Sequence, residues 1–228
     1  MGTSALAMPV FAIALALLGD AAAAEESSSA LVGTYSSSQP EVGAALRLDA
    51  NGRFEYSLSY GALDETAQGT WTADGNGIVL TSDPVKAPII QYLGYQGGNG
   101  SELVVSLDAP PQLPIQLFSA FLLQPNGTVS EVPFQDSSLH IPMTGATVPT
   151  KIAVAISVYQ VTSPAYDISP AVGSLRFRFV PNDLGKVGFD HHRLPWDSDG
   201  FDLDRLGLMI HFSKQAPEAA TPSAAASN

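Results

Sequence analysis

The side chains best suited to chemistry crowd into one short stretch, Asp190-His191-His192 followed by Asp197, Asp199, Asp202 and Asp204. Imidazole nitrogens and carboxylate oxygens are the donors that hold divalent metals. On an extended chain, adjacent residues point to opposite faces, so His191 and His192 reach one ion together only across a bulge. Asp190 and His192 share a face and form the candidate chelating pair, with Asp197 or Asp199 as the third ligand. Asp197-Ser198-Asp199-Gly200 also looks like the opening of a calcium loop, but its glycine comes two places earlier than the EF-hand glycine. The plainer reading is a solvated hairpin loop, where Asp and Gly serve turn geometry.

A second cluster, Tyr60, Asp64 and Glu65, follows a strongly patterned segment. Two carboxylates beside a phenol can do acid–base work if burial raises one pKa; the alternative is an ordinary polar loop. His140 and His211 stand alone, and His211 alternates with Ile210 and Phe212, so it is expected to face water. Gly98-Asn99-Gly100-Ser101-Glu102 lacks the second glycine of a nucleophile elbow. No H-E-x-x-H, phosphate-binding loop or dinucleotide fingerprint occurs in the sequence. The expectation is a non-enzymatic chain with no cofactor.

Charge narrows the partners. Asp and Glu number 22 against 10 Lys and Arg, a formal net charge of −12, and no basic stripe offsets it. Such a surface repels phosphate backbones, which argues against nucleic acid. There is no cysteine, so disulfides, thiol catalysis and zinc–thiolate sites are excluded. Residues 5–19, ALAMPVFAIALALLG, followed by small residues at Ala21 to Ala24, read as a signal peptide over residues 1–24. A retained membrane anchor is the competing reading, although the run is shorter than the roughly 20 residues a stable span needs. Export makes the expected location periplasmic or secreted, with no stable membrane insertion once the signal is cleaved.

The elements that must position these residues are strands. Phe54, Tyr56, Leu58 and Tyr60 alternate with Arg53, Glu55, Ser57 and Ser59, a period of two with one buried and one wet face. Leu46 and Leu48 alternate in the same way, and Asn51-Gly52 between the two runs is a hairpin signal. Strands around Trp71 and at Ile78 to Ser82, joined by Asp74-Gly75-Asn76-Gly77, complete a meander of about five strands over residues 31–83. Prolines and Gly97-Gly98-Asn99-Gly100 break residues 84–174, where Leu103 to Asp108, Leu117 to Gln124 and Lys151 to Tyr159 read as strands. Their spacing fits an Ig-like or transthyretin-like β-sandwich. From Leu175, Phe177 and Phe179 onward the one-sided alternation returns, and residues 175–213 are expected to supply about three closing strands. Residues 215–228, rich in Ala, Pro and Ser, read as a disordered tail.

The predicted fold class is therefore all-β: a small antiparallel barrel of about eight strands from residues 31–83 and 175–213, with residues 84–174 as an inserted sandwich. Two domains in series, divided near Pro110, is the competing parse. Gly33-Thr34-Tyr35 and the later Gly69-Thr70-Trp71 resemble the opening and later strands of small bacterial lipocalin-like (calycin-like) proteins, with Tyr35 where lipocalins proper carry Trp. Residues 52–65 (GRFEYSLSYGALDE) and 181–187 (PNDLGKV) resemble an uncharacterised group of exported proteins from alphaproteobacteria. The resemblances imply a compartment and a barrel and bring no activity with them.

Tyr35, Phe54, Tyr56, Tyr60 and Trp71 are the candidate lining of a cavity for a small apolar ligand. In a filled barrel the same residues are core. The sequence thus supports a periplasmic binding protein for a small apolar ligand, or an interaction module that contacts another envelope protein through a sandwich edge in residues 115–160. A metal-dependent enzyme built on residues 190–204 is the third reading.

Overall fold

The computed structural model describes residues 29–216, except 99, 145–147, 170 and 198. The expected signal segment 1–24, and the tail beyond Ala216, lie outside the described residues. The protein is all-β. Five strands come first: β1 (Gly33–Ser36), β2 (Val42–Leu48), β3 (Arg53–Tyr60), β4 (Leu63–Ala73) and β5 (Gly77–Ser82). The middle holds β6 (Ile89–Gly97), β7 (Glu102–Asp108), β8 (Ser119–Leu123), β9 (Val129–Pro133), β10 (Ser138–Pro142), β11 (Lys151–Ile156), β12 (Val161–Thr162), β13 (Tyr166–Asp167) and β14 (Val172–Val180). The last three are β15 (His192–Pro195), β16 (Gly200–Arg205) and β17 (Leu208–Lys214). The described residues form two compact units, one of residues 29–58, 66–83 and 188–216, the other of residues 59–65 and 84–187.

The first unit is built on an eight-stranded sheet in the order β15-β5-β4-β3-β2-β1-β17-β16. Its two end strands meet at an isolated bridge between Trp196 and Phe201, which leaves the sheet a nearly closed barrel. Period-two alternation drives the curl, because each strand has one apolar face to bury. Leu46, Leu48, Phe54, Leu58, Ile78, Leu80, Leu194, Phe201, Leu203, Ile210 and Phe212 all lie inside. Each such side chain contributes about 1.5–3 kcal/mol on burial. β5 and β15 come together at Gly77, where a Cβ would overlap the Leu194 carbonyl oxygen. On the outer surface Arg53 grips Asp83 with both guanidinium arms, at 2.9 and 2.5 Å.

The second unit is a sandwich. A four-stranded sheet, β10-β7-β14-β6, packs on a sheet ordered β12-β11-β8-β9, with β13 also paired to β11. Phe118, Phe134, Ile152, Val154, Ile156, Leu175, Phe177 and Phe179 sit in the core between them. β7 and β14 run parallel, a departure from the purely antiparallel sheets of an immunoglobulin-type sandwich. β11 ends at Ile156; Ser157–Tyr159 form a 3-10 turn, and Gln160 takes a left-handed conformation where a longer strand was expected.

Two sequence boundaries move. Leu175, Phe177 and Phe179 were expected to open the barrel's closing segment, but β14 pairs with β6 and β7 and buries these residues in the sandwich core. Alternation reveals that a face is buried and not which sheet it faces, so the pattern misleads here. The barrel resumes at Gly188. Gln215, expected to open the tail, instead donates its amide to the Thr34 carbonyl at 2.8 Å and extends the β1–β17 pairing.

Candidate functional site

Among the five predicted lining residues, Tyr35 and Phe54 are 0 % exposed, Tyr56 3 % and Trp71 6 %. A side chain with no accessible surface has atoms on every side and leaves no room for even a water beside it. The rings fill the space themselves. Tyr56 packs edge-on against Phe189 at 5.3 Å and against Phe212 at 6.3 Å, and Tyr35 packs on Phe201 at 4.9 Å. Trp71 spends its indole N–H on the Asp49 carbonyl at 3.0 Å. Tyr60 is 40 % exposed, because it ends β3 beyond Leu58, where the buried alternation stops. Glu65 shares the inward face of β4 with Leu63 and Ala67 and is buried.

The predicted metal set also separates. Asp190 bonds its neighbour His191 at 2.8 Å, with both side chains well exposed. His191 has a left-handed φ of 48°, so the chain turns there and the shared face of Asp190 and His192 is lost. The His192 ring instead lies 5.4 Å from Phe189. Asp197 and Asp199 do converge, on a histidine that was expected to face water. His211 donates from Nδ1 to Asp202 at 2.8 Å, and its Nε2 lies 3.4 Å from Asp199. Asp197 stands 3.8 Å from Nδ1. The donor atoms of Asp197, Asp199 and His211 lie within 4.8 Å of one another, so these three are the described residues able to share an ion.

The Asp202 hydrogen bond holds His211 above its ordinary pKa; burial opposes it, and the charges of Asp197, Asp199 and Asp202 reinforce it. Backbone N–H groups of Asp199 and Gly200 donate to Asp197 and help hold its carboxyl below the usual range. His211 was missed because it comes from β17, outside the acidic stretch; only the β16–β17 register, Asp202 opposite His211, brings it in.

A concave feature lies at one end of the barrel. Leu31, Ala73, Gly75, Asn76, Gly77 and Trp196 enclose about 320 Å³ there. Ala73 ends β4 and Gly77 starts β5, so the Asp74–Gly77 turn forms one wall. Arg193 holds that turn through Asp74 at 2.8 Å, and Asn76 accepts the Trp196 backbone N–H at 2.9 Å. The opposite wall is Leu31, whose carbonyl accepts the Tyr35 hydroxyl at 2.6 Å. Trp196 stands edge-on to Tyr35 at 6.2 Å and to Phe201 at 4.9 Å, yet 38 % of its surface stays open. Among the described residues, the wall includes no charged side chain. The site offers an indole, two aliphatic side chains, one carboxamide and turn backbone, which suits a small uncharged ligand with a flat apolar face.

Sequence reasoning missed Trp196, which directly follows β15 and bridges to Phe201; its place two residues after the buried Leu194 is the signal that could have found it. Searches of protein-family models, of curated proteins and of solved structures found no match to this chain.

Proposed function

We propose that this protein is an exported, non-enzymatic binding protein that holds a small, neutral, largely apolar ligand at the mouth of its barrel. The observation that carries the reading is the cavity of about 320 Å³ walled by Trp196, Leu31 and the Asp74–Gly77 turn. Its size falls at the lower end of ligand pockets, and barrel mouths are among the places where such pockets form. Its walls are fixed before any ligand arrives, since hydrogen bonds hold both the turn and Leu31. Preorganised walls reduce the ordering cost of binding. The barrel's aromatic interior acts in this reading as a rigid stand for the rim. Support for export is the apolar run of residues 5–19 with small residues behind it.

Native mass spectrometry of the protein purified from its own host tests the reading. A small-molecule mass that leaves on denaturation is expected. A bare chain recovered repeatedly under gentle purification contradicts it.

A further inference from the structure

The sandwich has an end strand whose composition sets it apart from the other sheet edges. β6 is the last strand of its sheet, so one side of its backbone has no neighbouring strand in that sheet. Its sequence, IIQYLGYQG, contains no charged residue and no proline. Proteins usually guard an open edge with such residues. The edge at β10 has Pro142 and His140, and that at β9 has Glu131 and Pro133. Of eight large apolar side chains exposed among the described residues, three stand on β6: Ile89 at 43 %, Leu93 at 41 % and Tyr95 at 66 %. The strand is held firmly from within, because Tyr92 stacks on Tyr166 at 4.4 Å and on Phe177 at 5.5 Å.

Charge identifies what would pair there. On the neighbouring strand, Arg178 is neutralised by Asp108 at 2.8 Å. Arg176 faces Ser106 on one side and Gly94 on the other, with no carboxylate opposite it in either register. An ideal Cβ on Gly94 would meet nothing within 4 Å, so the path from Arg176 across β6 is open. A strand added beyond β6 would lie roughly 10 Å from β14, two strand spacings away. An arginine and an extending carboxylate close that distance together.

We propose that the β6 edge receives an extended, acidic segment of another protein as an added strand, with an Asp or Glu of that segment meeting Arg176 across Gly94. Backbone pairing supplies affinity, and Ile89, Leu93 and Tyr95 supply contact surface.

A phage-displayed random peptide library selected on the full chain tests this. Enriched peptides should carry Asp or Glu within an alternating apolar pattern, and should slow hydrogen exchange of the β6 amides. Synthetic versions should bind Arg176→Glu about tenfold more weakly, while replacing their acidic residue by Lys should restore binding to that variant. Peptides without acidic bias, unchanged affinity for Arg176→Glu, or protection outside β6 would overturn the proposal. So would light scattering that shows a dimer broken by Leu93→Lys, since the occupant would then be a second copy.

Discussion

Tyr35 connects the two walls of the barrel-mouth cavity: its hydroxyl donates to the Leu31 carbonyl at 2.6 Å, and its ring supports Trp196 edge-on at 6.2 Å. A residue expected to line an internal cavity instead positions the rim. Its burial makes it a poor lining and a good anchor.

Tyr35→Phe keeps the ring and removes the hydroxyl. The loss of one hydrogen bond should cost about 0.5–1.5 kcal/mol in chemical denaturation. Burial pushes the Tyr35 phenol from 10.0 up to about 12. The folded pKa lies above the unfolded one, so its contribution is whole below pH 10 and is lost as pH rises toward 12. Stability measured across that window should fall less steeply for Tyr35→Phe than for the parent. Parallel curves would separate the phenol from the alkaline loss.

Gly77→Ala should destabilise by about 1–3 kcal/mol, because the new methyl meets the Leu194 carbonyl, a backbone atom that cannot swing aside. Gly188→Ala makes a control, since nothing lies within 4 Å of a Cβ there and its φ is ordinary. Equal melting temperatures for the two variants would contradict the close β5–β15 approach.

The His211 imidazole should titrate above its ordinary value of 6.5 in an NMR pH series, and Asp202→Asn should bring it down. The stabilising effect of the ion cluster is complete below the unfolded pKa and fades as pH rises through the folded one. His211 is a third exposed and its partners more so, so the effect on stability should be small. An unchanged His211 titration in Asp202→Asn would show that the Nδ1 bond does not set it.

Much of the barrel was legible because its strands are one-sided. The alternation from Arg53 to Tyr60 became β3, and Asn51-Gly52 and Asp74 to Gly77 became turns. The meander β1 to β5 is contiguous in the sheet. The closing strands were harder, since Leu175, Phe177 and Phe179 carry the same pattern and belong to the sandwich. β6 was missed entirely: Ile89-Ile90 begin it, but the bulge at Leu93 and the glycines Gly94 and Gly97 break its alternation. Sites depend on non-local register, which spacing does not encode. Asp197 and Asp199 were legible as a pair, whereas His211 reaches them only through the β16–β17 hairpin, and Trp196 reaches Leu31 only because the barrel closes.

The binding claim turns on Trp196. Native mass spectrometry of three proteins purified side by side from the same host, the parent chain, Trp196→Ala and Tyr60→Ala, tests it most directly. A small neutral mass is expected on the parent and on Tyr60→Ala, displaced by denaturation, and lost from Trp196→Ala with the circular dichroism spectrum unchanged. A folded Trp196→Ala that keeps the same mass, or a parent chain that never carries one, would contradict it.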